Sequence, residues 1–264
     1  MFGRISKFLK DSEIIKIFEK IIIYIIEPNT VGRDIYLICA KQILKELSGD
    51  ACQTVGKVLL PGILKGIKVN NNEIIETSFE IFNEYIFTFN YILMKSSNNI
   101  IKNKKEICDI VINSLNIDND SLRKTLTKFL GNFSLFLTEK ENKELTDIII
   151  NNINTDENFD LRINYFSALN SIGKSTASKN TYLINSALPL ILNFANVNYL
   201  FNNMIDYDKA NELVESGLYI LETYILNNSS SLKDKLQEIV NTAIELIEYD
   251  PNYAYENTDD VGMQ

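Results

Sequence analysis

Residues 57–89, KVLLPGILKGIKVNNNEIIETSFEIFNEYIFTF, hold two apolar patterns of helical period separated by a polar turn. Val58, Leu59, Ile63 and Ile67 fall on one face of a first helix, and Ile75, Phe79, Phe82, Ile86 and Phe89 fall on one face of a second. Between them Asn70, Asn71 and Asn72 interrupt the pattern and offer a side-chain cap to the second helix. A hairpin of this kind buries only part of its apolar surface, so it needs another hairpin on each side.

The flanking sequence supplies them. A first hairpin is expected over 12–27 and 31–47, with Pro28 and Asn29 in its turn. After the unit at 57–89 a third covers 100–115 and 121–137, and its second helix carries Leu122, Leu126, Phe129, Leu130, Phe133 and Leu137 on one face. A fourth pairs 141–153 with 158–173, where Gly173 reads as the C-cap, and a fifth pairs 182–195 with 209–226. The connection within the fifth, NVNYLFNNMIDYD, is long and partly apolar, and a last helix over 231–248 follows without a second helix. Gly numbers only 10 and Pro 4, and no sustained period-two alternation appears. The expectation is an all-α HEAT-repeat array, a right-handed superhelix of about five hairpins plus one terminal helix over residues 1–249, with an acidic, tyrosine-containing tail over 250–264.

Arg33, Glu76, Arg123, Arg162 and Val214 mark corresponding points in the second helices, about 39 to 52 positions apart, which brackets the HEAT and armadillo period. Pro61 and Pro189 lie inside the first helices of their hairpins, where HEAT repeats tolerate a kink. Glu27, Asp118 and Asp156 stand five or six residues ahead of Arg33, Arg123 and Arg162. This spacing predicts a structural ladder in which each guanidinium reaches a carboxylate in its own or a neighbouring turn.

Chemistry is hard to find in the sequence. Histidine is absent, which removes Ser-His and Cys-His catalysis and His-ligated zinc. Cys39, Cys52 and Cys108 lack the paired spacing of a metal site or the density of a disulfide scaffold, and read as buried reduced thiols of a cytoplasmic or nuclear protein. The run GKST at 173–176 lacks the upstream glycine of a phosphate loop and reads as a helix end. No cofactor, small-molecule substrate, catalytic group or membrane segment is expected, and the longest lipid-like run, 21–26, is far below the roughly 20 residues of a span. The net charge of −9 disfavours nucleic acid and favours basic protein surfaces.

Three segments resemble one family. LIEYDPNYAYENTDD at 246–260 looks like the segment that closes a HEAT helix and leads into the acidic insertion of the cullin-associated, neddylation-dissociated protein family, exchange factors of cullin-RING ubiquitin ligases. The match lies at Tyr249, Asp250, Pro251, Asn252, Tyr253 and Tyr255. RDIYLICAKQILKEL, from Arg33, resembles an early repeat of the family, and NELVESGLYILETYI, from Asn211, resembles the helix before the tail. The resemblance implies the N-terminal third of such a protein, beginning within its second repeat, with Glu256, Asp259 and Asp260 a thin version of the acidic stretch. It implies further a non-enzymatic arm that embraces the cullin C-terminal domain and its RING-box protein, without evicting a substrate-receptor adaptor unaided.

Stacked second helices usually line the concave side of such arrays, so polar positions on them are the expected partner contacts: Lys41, Glu76, Glu80, Asn83, Lys124 and Lys128, joined by Tyr253 and Tyr255 of the tail. Two other readings stand beside this one. A transport-receptor-like HEAT protein would hold basic cargo in an acidic groove, though no Trp-Asn ladder is present; a HEAT-like DNA-repair enzyme would need a cationic groove and a positioned carboxylate.

Overall fold

The computed structural model describes residues 8, 10–95, 104–176, 179–196 and 207–248. Every regular element among them is helical. They run α1 (Asp11–Ile26), α2 (Arg33–Glu46), α3 (Cys52–Gly66), α4 (Asn72–Thr88), α5 (Asn90–Lys95), α6 (Lys104–Leu115), α7 (Asp120–Phe133), α8 (Glu139–Thr155), α9 (Phe159–Thr176), α10 (Thr181–Phe194), α11 (Tyr207–Asn228) and α12 (Leu236–Glu248). The chain divides into two compact units, Met1–Asn142 and Lys143–Gln264. The expected tail, with Tyr253 and Tyr255, and most of the long connection in the fifth hairpin lie outside the described residues.

In the first unit each helix packs on its hairpin partner, α1 on α2, α3 on α4 and α6 on α7. First helices also meet, α1 against α3, and so do second helices, α2 against α4 and α4 against α7. That two-layer stacking is what a hairpin with one uncovered apolar side requires. Its centre is aromatic: Phe79, Phe82, Phe129 and Phe133 are fully buried, and the Phe79 and Phe82 rings lie 4.9 and 5.0 Å from that of Phe129. In the second unit α11 packs against both α9 and α10, around Phe166, Leu169, Ile172, Leu183, Ile191 and Ile220.

Caps define the hairpins locally. Asn71, Asn119 and Asn158 each precede a second helix, and their Oδ1 atoms accept from the backbone N–H groups of Ile74, Leu122 and Leu161 at 3.2, 2.9 and 3.4 Å. The short polar turns of the sequence are thus built of repeated asparagine caps. Helix α2 instead starts after Gly32 at φ 73°, the one glycine in left-handed geometry among the described residues. Pro61 and Pro189 sit inside α3 and α10 as expected. Both face solvent, as do Lys57 and Asn185 four residues before them, so the carbonyls deprived of a helical bond can be hydrated.

Two boundaries differ from the sequence reading. Gly173 is not a C-cap: α9 continues to Thr176, and Gly173 is buried inside it where Tyr224 and Thr223 of α11 approach. A Cβ there would stand 3.4 Å from Tyr224 Cε2, so the glycine serves helix packing rather than helix ending. The short helix α5, carrying Tyr91 and Met94, adds a turn where the sequence shows only a connection.

Candidate protein-interaction face

Arginines at the hairpin turns hold second helices at their starting points. Arg33 is buried, and its guanidinium donates to three backbone carbonyls at the end of the preceding helix: Nε to Ile25 at 2.9 Å, and Nη2 to Glu27 at 2.9 Å and Pro28 at 3.3 Å. Its Nη1 meets the Glu73 carboxylate of the next hairpin at 2.5 Å. Arg123 repeats the arrangement with Nε on the Leu115 carbonyl at 3.3 Å, and its Nη atoms lie 3.3 and 3.5 Å from Asp120 and Asp118. Each side chain thereby satisfies the orphan carbonyls of a helix C-terminus while neutralising its dipole.

The predicted ladder exists in this altered form. Glu27 contributes a main-chain carbonyl to Arg33 and not its carboxylate, whereas Asp118 uses its carboxylate as expected. Arg162 lies over the rings of Phe159 and Phe194, with centroids 5.7 and 5.2 Å from its guanidinium carbon, and Asp156 accepts from the Asn158 N–H at 2.9 Å. At the fourth residue after the Asn cap, where α7 and α9 carry Arg123 and Arg162, α4 carries Ile75; the sequence marker Glu76 stands one place beyond.

The polar positions expected to meet a partner are largely engaged between consecutive second helices. Lys41 of α2 pairs with Glu80 of α4, both side chains under a third exposed, and Lys45 lies 4.0 Å from Glu84. Glu76 accepts from Ser121 Oγ at 2.5 Å, and Asn83 Oδ1 accepts from Asn132 Nδ2 at 2.7 Å, which ties α4 to α7. The second unit repeats the device, with Lys209 on Asp160 at 2.9 Å and Thr223 on Asn170 at 3.0 Å. Lys124 and Lys128 differ: both are exposed on α7, one helical turn apart, with no ion pair among the described residues.

Beside these ties the first unit exposes Phe87, Tyr91 and Met94, which the sequence reading passed over. Phe87 could have been found: it falls off the stripe formed by Ile75, Phe79, Phe82, Ile86 and Phe89, so a helix through that stripe must turn it outward. The inter-helix ties also left a signal. Complementary polar residues recur one repeat apart, 39 residues for Lys41 and Glu80, and 49 for both Asn83 with Asn132 and Asp160 with Lys209.

The thiols sit in settings that keep them protonated. Burial, then the charges of Asp109 and Glu141, pushes Cys108 up to about 12. Burial raises Cys52 as well, beside the Tyr85 hydroxyl, which donates to the Cys52 carbonyl at 3.0 Å. Cys39 is also raised by burial. Among the described residues no cluster of three acidic or cysteine side chains could hold a metal ion, and no helix is long and apolar enough to cross a membrane.

No family model matches the sequence, and no curated protein matches it. Among solved structures, the chain is similar to a crystal structure of an engineered protein, with 10% identity, 86% of this chain and 88% of that chain covered, and a TM-score of 0.46. The class therefore rests on the packing described above: an all-α protein of stacked, solenoid-like helical hairpins.

Proposed function

We propose that the chain is a protein-interaction scaffold, the N-terminal arm of a cullin-binding regulator of cullin-RING ligase assembly and substrate-receptor exchange. The observation that carries this reading is the run LIEYDPNYAYENTDD, which starts in the last turn of α12 and resembles the junction between a HEAT helix and the acidic insertion of that family. Two features support it. RDIYLICAKQILKEL, on α2, resembles an early repeat of that family, and the net charge of −9 complements a basic cullin surface.

Its partners under this reading are the cullin C-terminal domain and the RING-box protein, in the cytoplasm or nucleus. Among the exposed residues of the first unit, Lys124, Lys128 and Phe87 are candidates for such contact. A pull-down against unmodified cullin C-terminal domain with RING-box protein, at low salt, tests it: co-purification is expected, together with size-exclusion co-elution. An empty pull-down, with capture of a basic localisation peptide in its place, would instead favour a transport-receptor-like protein.

A further inference from the structure

Helix α11 is anchored by one face and presents the opposite face to solvent. Ala210, Leu213, Gly217, Leu221 and Tyr224 are buried against the rest of the second unit. On the other side Asp208, Glu212, Glu215, Tyr219, Glu222 and Leu226 are all exposed, Tyr219 and Leu226 by 45 and 75%. Their spacing of four, three, four, three and four residues puts the six on one stripe, so the apolar and the acidic groups share a face. Glu222 stands between the two apolar residues, three after Tyr219 and four before Leu226.

The stripe has no cation of its own. Lys209 is the one basic residue of α11, and it is turned to Asp160 of α9 at 2.9 Å. Among the described residues Glu212, Glu215 and Glu222 meet no lysine or arginine. The last turn of α11 holds none either, so the negative end of the helix dipole adds to the field around Leu226. Tyr219 reports that field: its hydroxyl donates to Glu215 at 2.8 Å, and that bond, the Glu215 charge and, less strongly, the Glu222 charge push the phenol above its ordinary value. Like charge repels two occupants at once. A second copy would bring the same stripe, and residues 249–264 carry Asp250, Glu256, Asp259 and Asp260 with no lysine or arginine.

We infer that this face of α11 is a docking site for a lysine- and arginine-rich segment of a partner protein, whose basic side chains meet Glu212, Glu215 and Glu222 while an apolar residue covers Tyr219 and Leu226. The carboxylates, set beside and between the apolar groups, select the sign of the partner; the tyrosine ring offers its face to a cation, and apolar burial holds the segment in place. The surface belongs to the second unit and does not depend on the cullin reading.

The test uses the full chain and two designed, fluorescein-labelled peptides of about ten residues, long enough when extended to span the stripe. Both carry the same two leucines, one among lysines and arginines and the other among glutamates. Fluorescence anisotropy should show the basic peptide binding at least about tenfold more tightly, and less tightly as salt rises. Glu215→Gln with Glu222→Gln should weaken that binding about tenfold, and Tyr219→Ala about threefold or more. Glu19→Gln with Glu46→Gln, which removes the same charge from exposed positions of the first unit, should leave it within about twofold. Helical circular dichroism, expected unchanged, shows that each variant is folded. Equal binding of the two peptides, or an equal loss from the two glutamine pairs, overturns the proposal, because the attraction would then be to the overall charge of the chain. So does binding that appears only after residues 1–9, which hold Arg4 and Lys7, are removed, since that segment would then be the occupant.

Discussion

Arg33 Nε donates to the carbonyl oxygen of Ile25, eight residues earlier, at 2.9 Å, so a second helix begins by closing off the end of the first. The hairpin's angle is fixed by a charged group that has left water almost completely. Removing it exposes unsatisfied carbonyls at Ile25, Glu27 and Pro28, and Arg33→Ala is expected to cost about 3 kcal/mol. Arg33→Lys recovers only part, because one ammonium cannot span three carbonyls and Glu73. Glu73→Gln should cost less than about 1 kcal/mol, since that carboxylate is 64% exposed. Urea unfolding monitored at 222 nm checks the order; a Glu73 effect as large as the Arg33 effect would refute it.

Lys41 and Glu80 join two consecutive second helices at partly buried positions. A double-mutant cycle with Lys41→Met and Glu80→Gln is expected to give a coupling of about 0.5–1 kcal/mol that shrinks with added salt. Zero coupling at low salt would remove the tie from the list of forces holding α2 against α4.

Helices α1 and α3 approach through Gly62, where a Cβ would lie 2.0 Å from Ile22 Cγ2. At Gly66 a Cβ would meet Ser78 Oγ of α4 at 2.2 Å. Gly62→Ala and Gly66→Ala should each lose about 1–3 kcal/mol by overpacking. Gly217 of α11 is the counterexample: its nearest neighbour would stand at 3.5 Å, an ordinary contact. There alanine should be neutral or stabilising by up to about 1 kcal/mol through helix propensity. Thermal melts of the three variants read the contrast in sign.

Alkaline pH should weaken the fold. Cys108 is pushed up to about 12 in the folded chain against 9.0 when free. Below pH 9 the thiol is protonated in both states and its contribution is complete; from pH 9 towards 12 only the unfolded thiol ionises, so stability falls as pH rises. Tyr85 and Tyr224, also raised by burial, act in the same direction at higher pH. Cys108→Ala should flatten the slope of stability between pH 9 and 11, measured by denaturant midpoint. An unchanged slope would mean that the thiol is not desolvated.

The hairpin at 57–89 was legible because its second helix confines Ile75, Phe79, Phe82, Ile86 and Phe89 to one stripe, and all five are buried on α4. Pro61 and Pro189 were placed within helices for the same reason, since apolar period persists on both sides of each. Gly173 misled because a glycine at a pattern's end looks like a cap, whereas here it admits Tyr224 of a helix some fifty positions later. Among the candidate contacts, Lys41, Glu76, Glu80 and Asn83 were correctly placed on second helices. That their polar atoms are turned to neighbouring helices could not be read, because it depends on which helix stands alongside.

Sequence alone determined that this is a helical protein made of pairs, since period, asparagine caps and scarcity of glycine and proline are local properties of the chain. Tertiary structure alone decided which polar groups are spent within the protein and which remain at its surface. Those choices turn on distances between residues about one repeat apart, as between Lys41 and Glu80. They turn as well on whether an apolar stripe, such as that of Leu236, Val240 and Ile247, meets another helix or solvent. Helical period places residues on a face, but only packing supplies what the face meets.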